Sequence, residues 1–86
     1  MKLYYFYILE RKDSRFYYGM TSNVGLRFLQ HLKGEVTSTK RFRPLKLVYL
    51  EIFKTKQEAL DRERKIKSWK SSKEVKKLIS SVGSPD

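Results

Sequence analysis

The sequence predicts a single α/β (α+β) domain in which helices flank a three-stranded antiparallel sheet, with the element order ββαβαα. Two aromatic-rich runs near the N-terminus and one apolar run in the middle of the chain indicate strands. Three further segments combine helical periodicity with helix-capping residues. A chain of 86 residues accommodates one domain. We assign residues 1–80 to this domain and expect residues 81–86 to form a frayed C-terminal tail.

The first two strands are predicted to form a hairpin. The run Leu3–Leu9 is aromatic and β-branched and is too short for a helix, and Phe16–Met20 has the same character. Asp13–Ser14 lies between them and supplies turn-forming residues, so the two runs are expected to pair in antiparallel orientation. The two-residue period of a strand places Tyr5 and Tyr7 on the same face.

The first helix is predicted from about Val24 to Lys33. Ser22 or Asn23 can cap its N-terminus by accepting a hydrogen bond from a free backbone amide, and Gly34 ends it. Its apolar stripe consists of Phe28, Leu29 and Leu32.

The middle of the chain is predicted to contain a loop followed by a strand. Glu35–Pro44 is polar and basic without sustained periodicity, which indicates an exposed loop. Leu45–Phe53 is apolar at both alternating sets of positions. A strand with two apolar faces is typically buried on both sides, so we predict that this strand is central in the sheet.

Two helices are predicted in the C-terminal part of the chain. Thr55–Glu58 matches a capping box and opens a helix that runs to about Trp69. Ser71–Glu74 repeats this signature and precedes a short final helix. The apolar residues of the final helix are Val75, Leu78 and Ile79.

The charge balance indicates a polyanionic partner. Twenty Lys and Arg residues against nine Asp and Glu give a formal net charge of +11. Nucleic acid is the commonest partner for such a protein, although acidic lipid gives the same signal. No apolar run approaches the roughly 18 residues of a membrane span, so we expect no membrane partner and a cytoplasmic location. The absence of cysteine excludes disulfides, thiolate zinc sites and a thiol nucleophile.

Glu63 occupies an unusual position for a charged residue. Helical spacing places its carboxylate on the same side as Ala59 and Ile66, which is the apolar side of the helix. Because an unpaired buried carboxylate is costly, a cation is expected beside it, either a basic side chain or a divalent metal. A partly exposed ion pair with Lys67, four residues later, explains the pattern equally well.

Three other residue types are candidates for chemistry. Arg27 and His31 are four residues apart and project from one side of the first helix. His31 is more simply interpreted as a surface or hydrogen-bonded core histidine than as a metal ligand, because the chain has no second histidine. The six tyrosines suit strand packing, but a tyrosine hydroxyl near positive charge can also act as a general base.

These residues stand in an order that resembles the GIY-YIG nuclease family, in particular its small stand-alone bacterial members. Tyr5–Leu9 is similar to the first family motif and Tyr17–Thr21 to the second. Gly25–His31 resembles the first helix of the family and contains Arg27 at the expected distance from Tyr17. The segment 58–67 resembles the helix that carries the metal ligand. The resemblance covers nearly the whole chain.

This resemblance implies a metal-dependent endonuclease that hydrolyses phosphodiester bonds, with DNA as the expected substrate. Glu63 would hold Mg²⁺ or Mn²⁺, Tyr17 would take a proton from the attacking water, and Arg27 would stabilise the charge that develops on the phosphate. Tyr7 would orient the water or Tyr17, and His31 would assist. The nucleic-acid contacts that we expect are Thr21, Arg27, Lys40, Arg41 and Arg43.

Two other functions are consistent with the basic composition. The first is a module that binds DNA or structured RNA without cutting it, and the second is a protein that assembles on ribosomal or other structured RNA. Simple phosphate binding gives no reason for Glu63 to lie on an apolar helix face. A monomer is the default expectation for the oligomeric state.

Overall fold

The computed structural model describes residues 2–83 and contains the elements in the predicted order. The strands are β1 (Tyr4–Glu10), β2 (Phe16–Thr21) and β3 (Lys46–Phe53). The helices are α1 (Val24–Lys33), a 3₁₀ turn (Lys40–Phe42), α2 (Lys56–Lys67) and α3 (Ser72–Gly83). The predicted α+β class is therefore confirmed. Helix α3 continues through 81–83, and residues 84–86 of the predicted tail lie outside the described residues.

The sheet has the strand order β2-β1-β3, with both pairs of neighbouring strands antiparallel. Strand β1 is therefore central, and the prediction that the third strand is central is wrong. β3 lies at an edge, where Leu47, Leu50 and Ile52 are 38%, 37% and 57% exposed. These residues follow the apolar pattern of a doubly buried strand, but within residues 2–83 no helix covers their face well enough to bury them.

The helices divide between the two faces of the sheet. On one face, here called the α1 face, Tyr7 and Leu9 of β1 pack with Phe28 of α1. On the opposite face, here called the α2/α3 face, the core combines side chains from the sheet with others from α2 and α3. The buried members of this second cluster are Phe6, Ile8, Tyr49, Ile66 and Val75.

Short-range hydrogen bonds define the helix ends as predicted. The Asn23 side chain accepts a hydrogen bond from the backbone amide of Leu26 at 3.1 Å, which identifies Asn23 as the cap of α1. Gly34 ends the helix in the left-handed region, with φ of 78°. At the start of α2, Thr55 and Glu58 form both hydrogen bonds of a capping box.

The segment between α1 and β3 is more ordered than the sequence suggested. Val36 and Thr39 are buried, whereas the segment was predicted to be an exposed loop throughout. The Lys12 amide donates to the Phe42 carbonyl at 2.9 Å, and the Arg11 guanidinium lies 3.4 Å from the centre of the Phe42 ring. The β1–β2 turn therefore holds this segment in place through contacts that are remote in sequence.

Candidate active site

The position of Tyr7 depends on a glycine in the neighbouring strand. Tyr7 of β1 pairs with Gly19 of β2, so both residues face the α1 side of the sheet. The Tyr7 ring lies directly over Gly19, and a Cβ atom at position 19 would overlap with the ring and its hydroxyl. The glycine of the second motif thus makes room for the tyrosine of the first.

Tyr7 belongs to a buried chain of polar side chains from three parts of the fold. Its hydroxyl lies 3.0 Å from Nε2 of His31 in α1. Nδ1 of the same ring lies 2.7 Å from the hydroxyl of Thr39, which precedes the 3₁₀ turn. Tyr7 is 2% exposed, and His31 and Thr39 are fully buried. The sequence left open whether His31 is a surface histidine or a hydrogen-bonded core histidine, and the structure shows the second.

Burial determines the protonation states of the side chains in this hydrogen-bonded series. Burial, together with the nearby positive charge of Arg27, lowers the pKa of His31 from 6.5 to about 4. The imidazole is therefore neutral near neutral pH. Burial also raises the pKa of Tyr7, against the opposing hydrogen-bonding and charge effects of Arg27. Tyr7 therefore stays protonated.

Tyr17 lies beside this chain without joining it. Its ring centre is 6.5 Å from that of Tyr7 and 5.2 Å from that of His31, and it meets the His31 ring edge to face. Tyr17 is only half-buried, and its hydroxyl makes no hydrogen bond to any group within residues 2–83. The two motif tyrosines therefore differ in that the Tyr7 hydroxyl is engaged while that of Tyr17 is free.

Arg27 and Glu63 approach the same centre from two helices. The positive charge of Arg27 and the negative charge of Glu63 act on Tyr7 in opposite directions, since Arg27 lowers the pKa of Tyr7 and Glu63 raises it. Arg27 also donates to the Gln30 side chain at 3.3 Å. The structure thus brings Tyr7, Tyr17 and His31 into contact, and it places Arg27 and Glu63 near enough for their charges to affect the pKa of Tyr7.

Helix geometry explains why Glu63 points towards this centre although α2 packs on the other face. Ala59 and Ile66 are fully buried against the sheet. Successive residues are separated by about 100° around a helix, so Arg62 and Glu63 project to opposite sides of this buried line. Arg62 binds Glu51 of β3 at 2.8 Å, which leaves Glu63 on the side of β2.

The carboxylate of Glu63 also forms the ion pair that the sequence allowed. Nζ of Lys67 lies 3.5 Å from it, and the exposed fractions of the two side chains are 53% for Lys67 and 17% for Glu63. An ion pair between residues four apart on a helix contributes little to stability, about 0.3–0.5 kcal/mol. Lys67 is therefore a counter-ion that can be displaced from Glu63.

The predicted nucleic-acid contacts lie on the surface around the 3₁₀ turn and before α1. Lys40 and Arg41 are exposed. Arg43 is also exposed, but it donates to the carbonyls of Lys40 and Leu32, at 3.1 and 3.5 Å. The Thr21 hydroxyl accepts a hydrogen bond from the Asn23 amide at 3.1 Å. Arg43 and Thr21 therefore also have structural partners within the chain.

Sequence reasoning overlooked Thr39 and the steric role of Gly19. Thr39 stands among Thr, Ser and Lys residues of a segment without periodicity, and no local pattern distinguishes it from exposed Thr37. Gly19 lies within the second motif, but its role depends on strand register. A hairpin register derived from the turn would have placed it opposite Tyr7.

The donor groups fit one kind of metal ion. Within residues 2–83 no three His, Cys, Asp or Glu side chains converge, which argues against a site built entirely from protein ligands. Mg²⁺ typically uses one or two carboxylates, several waters and substrate phosphate oxygens, and Mn²⁺ prefers the same oxygen donors. A single accessible carboxylate with a displaceable counter-ion, as at Glu63, is compatible with such an ion.

Comparison with known proteins agrees with the class of site. A family described as the GIY-YIG catalytic domain matches residues 3–77. The chain therefore belongs to the GIY-YIG family, whose catalytic domain is typical of endonucleases and implies a nucleic-acid substrate. None of the helices in the described part of the chain has the length and apolar character needed to cross a membrane.

The relatives are proteins of similar size. A UPF0213 protein of Staphylococcus saprophyticus is 42% identical over 81 residues, which cover 93% of this chain and 98% of that protein. A UPF0213 protein of Staphylococcus haemolyticus is 39% identical over 91% of this chain and 96% of that protein. The solution NMR structure of a UPF0213 protein from Bacillus halodurans is 36% identical, with a TM-score of 0.64, and the match covers 96% of this chain and 88% of that one.

Proposed function

We propose that this protein is a metal-dependent endonuclease that hydrolyses phosphodiester bonds in DNA. The observation that carries the proposal is the cluster of Tyr7, Tyr17 and His31 rings, beside which Arg27 and Glu63 lie near enough for their charges to affect the pKa of Tyr7. A general base, a guanidinium and a metal-binding carboxylate are the groups that such hydrolysis needs. Packing alone does not require Tyr17, Arg27 and Glu63 to lie near one another, because they come from β2, α1 and α2 respectively.

The two tyrosines have different roles in this proposal. Tyr17 has a hydroxyl without a hydrogen-bond partner within residues 2–83 and acts as the general base that accepts a proton from the attacking water. Tyr7 stays protonated and directs its proton at His31, so a lone pair of its oxygen is available to accept a hydrogen bond from the same water and orient it. The neutral His31 ring holds the Tyr7 hydroxyl in place.

The negative charge that develops on the phosphate is balanced by Arg27 and by the metal. The planar guanidinium can donate two parallel hydrogen bonds to phosphate oxygens. When bound, Mg²⁺ or Mn²⁺ supplies Lewis-acid stabilisation of the phosphate. Glu63 would hold the ion, and Lys67, which now pairs with Glu63, would then be available to contact a neighbouring phosphate.

The basic surface provides the affinity for the substrate. Lys40 and Arg41 beside the site, with Arg43 and Thr21, contact backbone phosphates without reading bases. The net charge of +11 is suited to DNA, and the cytoplasm is the proposed compartment. A monomer is the proposed functional unit.

The proposal is tested with labelled duplex, single-stranded and branched DNA in the presence of Mg²⁺, Mn²⁺ or EDTA. Glu63→Gln, Tyr17→Phe and Arg27→Met are each expected to lower the rate of cleavage by at least about 100-fold, because each removes a group that acts in the transition state. The wild-type protein is expected to lose activity in EDTA.

Neighbouring residues provide matched controls. Tyr18→Phe removes a hydroxyl from the adjacent tyrosine, which packs on the α2/α3 face, and Asp61→Asn removes an exposed carboxylate from the same helix as Glu63. Both variants should cut at wild-type rates. Tight binding without cutting by the wild type, unchanged in the three site variants, would instead identify a non-cleaving module that binds DNA or structured RNA.

A further inference from the structure

The buried chain from Tyr7 to Thr39 extends beyond the residues that the proposed reaction uses. Thr39 lies eight positions after His31, outside every segment that resembles a family motif. It is nevertheless fully buried, and its hydroxyl lies closer to His31, at 2.7 Å, than the Tyr7 hydroxyl does, at 3.0 Å. The Thr39 hydroxyl is therefore the second hydrogen-bond partner of the imidazole that contacts Tyr7.

The direction of the hydrogen bonds follows from counting donors and acceptors. A neutral imidazole has one N–H donor and one acceptor nitrogen. Tyr7 is almost fully buried, and within residues 2–83 its hydroxyl proton has only one acceptor, Nε2 of His31. Nε2 must then lack a proton, so Nδ1–H donates to the Thr39 oxygen. The Thr39 hydroxyl in turn donates to the Val36 carbonyl at 3.4 Å.

The opposite direction leaves a buried donor without a partner. If Thr39 donated to Nδ1, Nε2–H would donate to the Tyr7 oxygen, and the Tyr7 proton would have no acceptor among the described residues. An unsatisfied buried donor costs about 1–3 kcal/mol. The chain from Tyr7 through His31 and Thr39 to the Val36 carbonyl satisfies every donor.

We propose that Thr39 is a positioning residue for the nuclease centre: by accepting a hydrogen bond from Nδ1–H of His31, it selects the tautomer whose Nε2 holds the Tyr7 hydroxyl. This inference rests on the proposed function. With its proton directed at His31, Tyr7 presents only acceptor lone pairs to the reacting water. Thr39 also precedes the turn that carries Lys40 and Arg41, so one hydrogen bond links the proposed phosphate-binding turn to the proposed centre.

The first test measures the tautomer directly. His31 is the single histidine of the chain, so its ring ¹⁵N signals in an NMR spectrum can be assigned without ambiguity. We expect Nδ1–H in the wild type and in Thr39→Ser, which keeps the hydroxyl, and loss of this preference in Thr39→Val. An Nε2–H ring in the wild type, or an unchanged ring in Thr39→Val, would overturn the proposal.

The second test separates positioning from structure by kinetics. Thr39→Val is expected to lower kcat about 10-fold with KM unchanged, which is the lower end of the effect of removing a residue that orients a catalytic group. Thr39→Ser should restore kcat, and the exposed Thr37→Val is the matched control. Unchanged kcat in Thr39→Val, or a loss that Thr39→Ser does not restore, would contradict the assigned role.

The two tests also separate this inference from the proposed function. A wild type that does not cut any substrate counts against the endonuclease, while the ring signals of the same protein still decide the direction of the hydrogen bonds. If Thr39→Val does not fold, as judged by thermal unfolding, the wild type and Thr39→Ser still provide the ring signals, and Nε2–H in either one overturns the inference.

Discussion

The α2/α3 face of the sheet buries apolar side chains almost without interruption, whereas the α1 face buries a tyrosine, a histidine and a threonine that hydrogen-bond to one another. The first face has two helices against it and a core that includes Phe6, Ile8 and Ile66. The second has one helix and a smaller apolar cluster. Burial of apolar area stabilises the fold. Buried polar groups add little stability, but their hydrogen bonds fix the positions of the side chains.

This difference indicates that the two faces of the single sheet serve different purposes. The α1 face is also incompletely buried, since Leu29 and Leu32 of α1 remain 44% exposed and Ile52 of β3 is 57% exposed. To bury Ile52, helix α1 would have to lie closer to β3 and therefore farther from Tyr17. We infer that stability resides on one face and the proposed chemistry on the other.

The largest effect is expected from a cavity in the α2/α3 face. Ile66→Ala should lower the free energy of unfolding by about 2–5 kcal/mol, because it removes a fully buried side chain. Urea unfolding measures this change, and cleavage by the folded protein at low temperature should stay near wild type. A variant of normal stability that has lost activity would reverse the division between the faces.

The next effect concerns the close contact on the α1 face. Gly19→Ala places a methyl group where the Tyr7 ring lies, so we expect a stability loss of about 1–3 kcal/mol and displacement of the ring from His31. Cleavage should fall by at least about 100-fold. Gly25→Ala is the control, because the nearest atom to its added Cβ is 3.9 Å away. Normal cleavage by Gly19→Ala would show that the position of Tyr7 is unimportant.

The third effect is a pH dependence of the free energy of unfolding that arises from His31 on the α1 face. Burial lowers the pKa of His31 to about 4 in the folded protein, against 6.5 for an unperturbed histidine. Below pH 6.5 the unfolded chain therefore binds more protons than the folded protein. The contribution of the neutral His31 ring to stability is complete above pH 6.5 and is lost progressively as the pH falls towards 4. Between pH 7 and pH 5, wild type should lose about 2 kcal/mol more than His31→Asn. Equal losses in urea unfolding would contradict a buried neutral ring.

The smallest effect is expected at the uncovered edge strand. Ile52→Thr replaces an exposed β-branched residue with another, so the free energy of unfolding should change by no more than about 0.5 kcal/mol and cleavage should not change. Thermal unfolding and the cleavage assay measure the two quantities. A loss comparable to that of Ile66→Ala would show that this part of the α1 face is covered in solution.

Prediction from sequence succeeded where the signal is local. The hairpin, the bounds of α1 with its Asn23 cap and the capping box of α2 follow from residues within a few positions of one another. Helical spacing also placed Glu63 beside the buried line of α2. It could not choose between a metal ligand and an ion pair with Lys67, since both need the same spacing.

Prediction failed where the outcome depends on packing between distant segments. The apolar pattern of β3 is the same for a central strand and for an edge strand beside an incompletely covering helix, and only the pairing of β1 with both neighbours distinguished them. Thr39 has no distinguishing neighbours, and its burial follows from the position of α1 over the sheet.

The sequence by itself determined the class of fold and the excess of positive charge that favours a polyanionic partner, and its motif order indicated the five residues of the candidate site, because periodicity, charge and motif order are properties of the chain. Only the tertiary structure decided which tyrosine is engaged and which is free. That distinction depends on a 3.0 Å contact between residues 24 positions apart, and spacing along a chain does not encode such a contact.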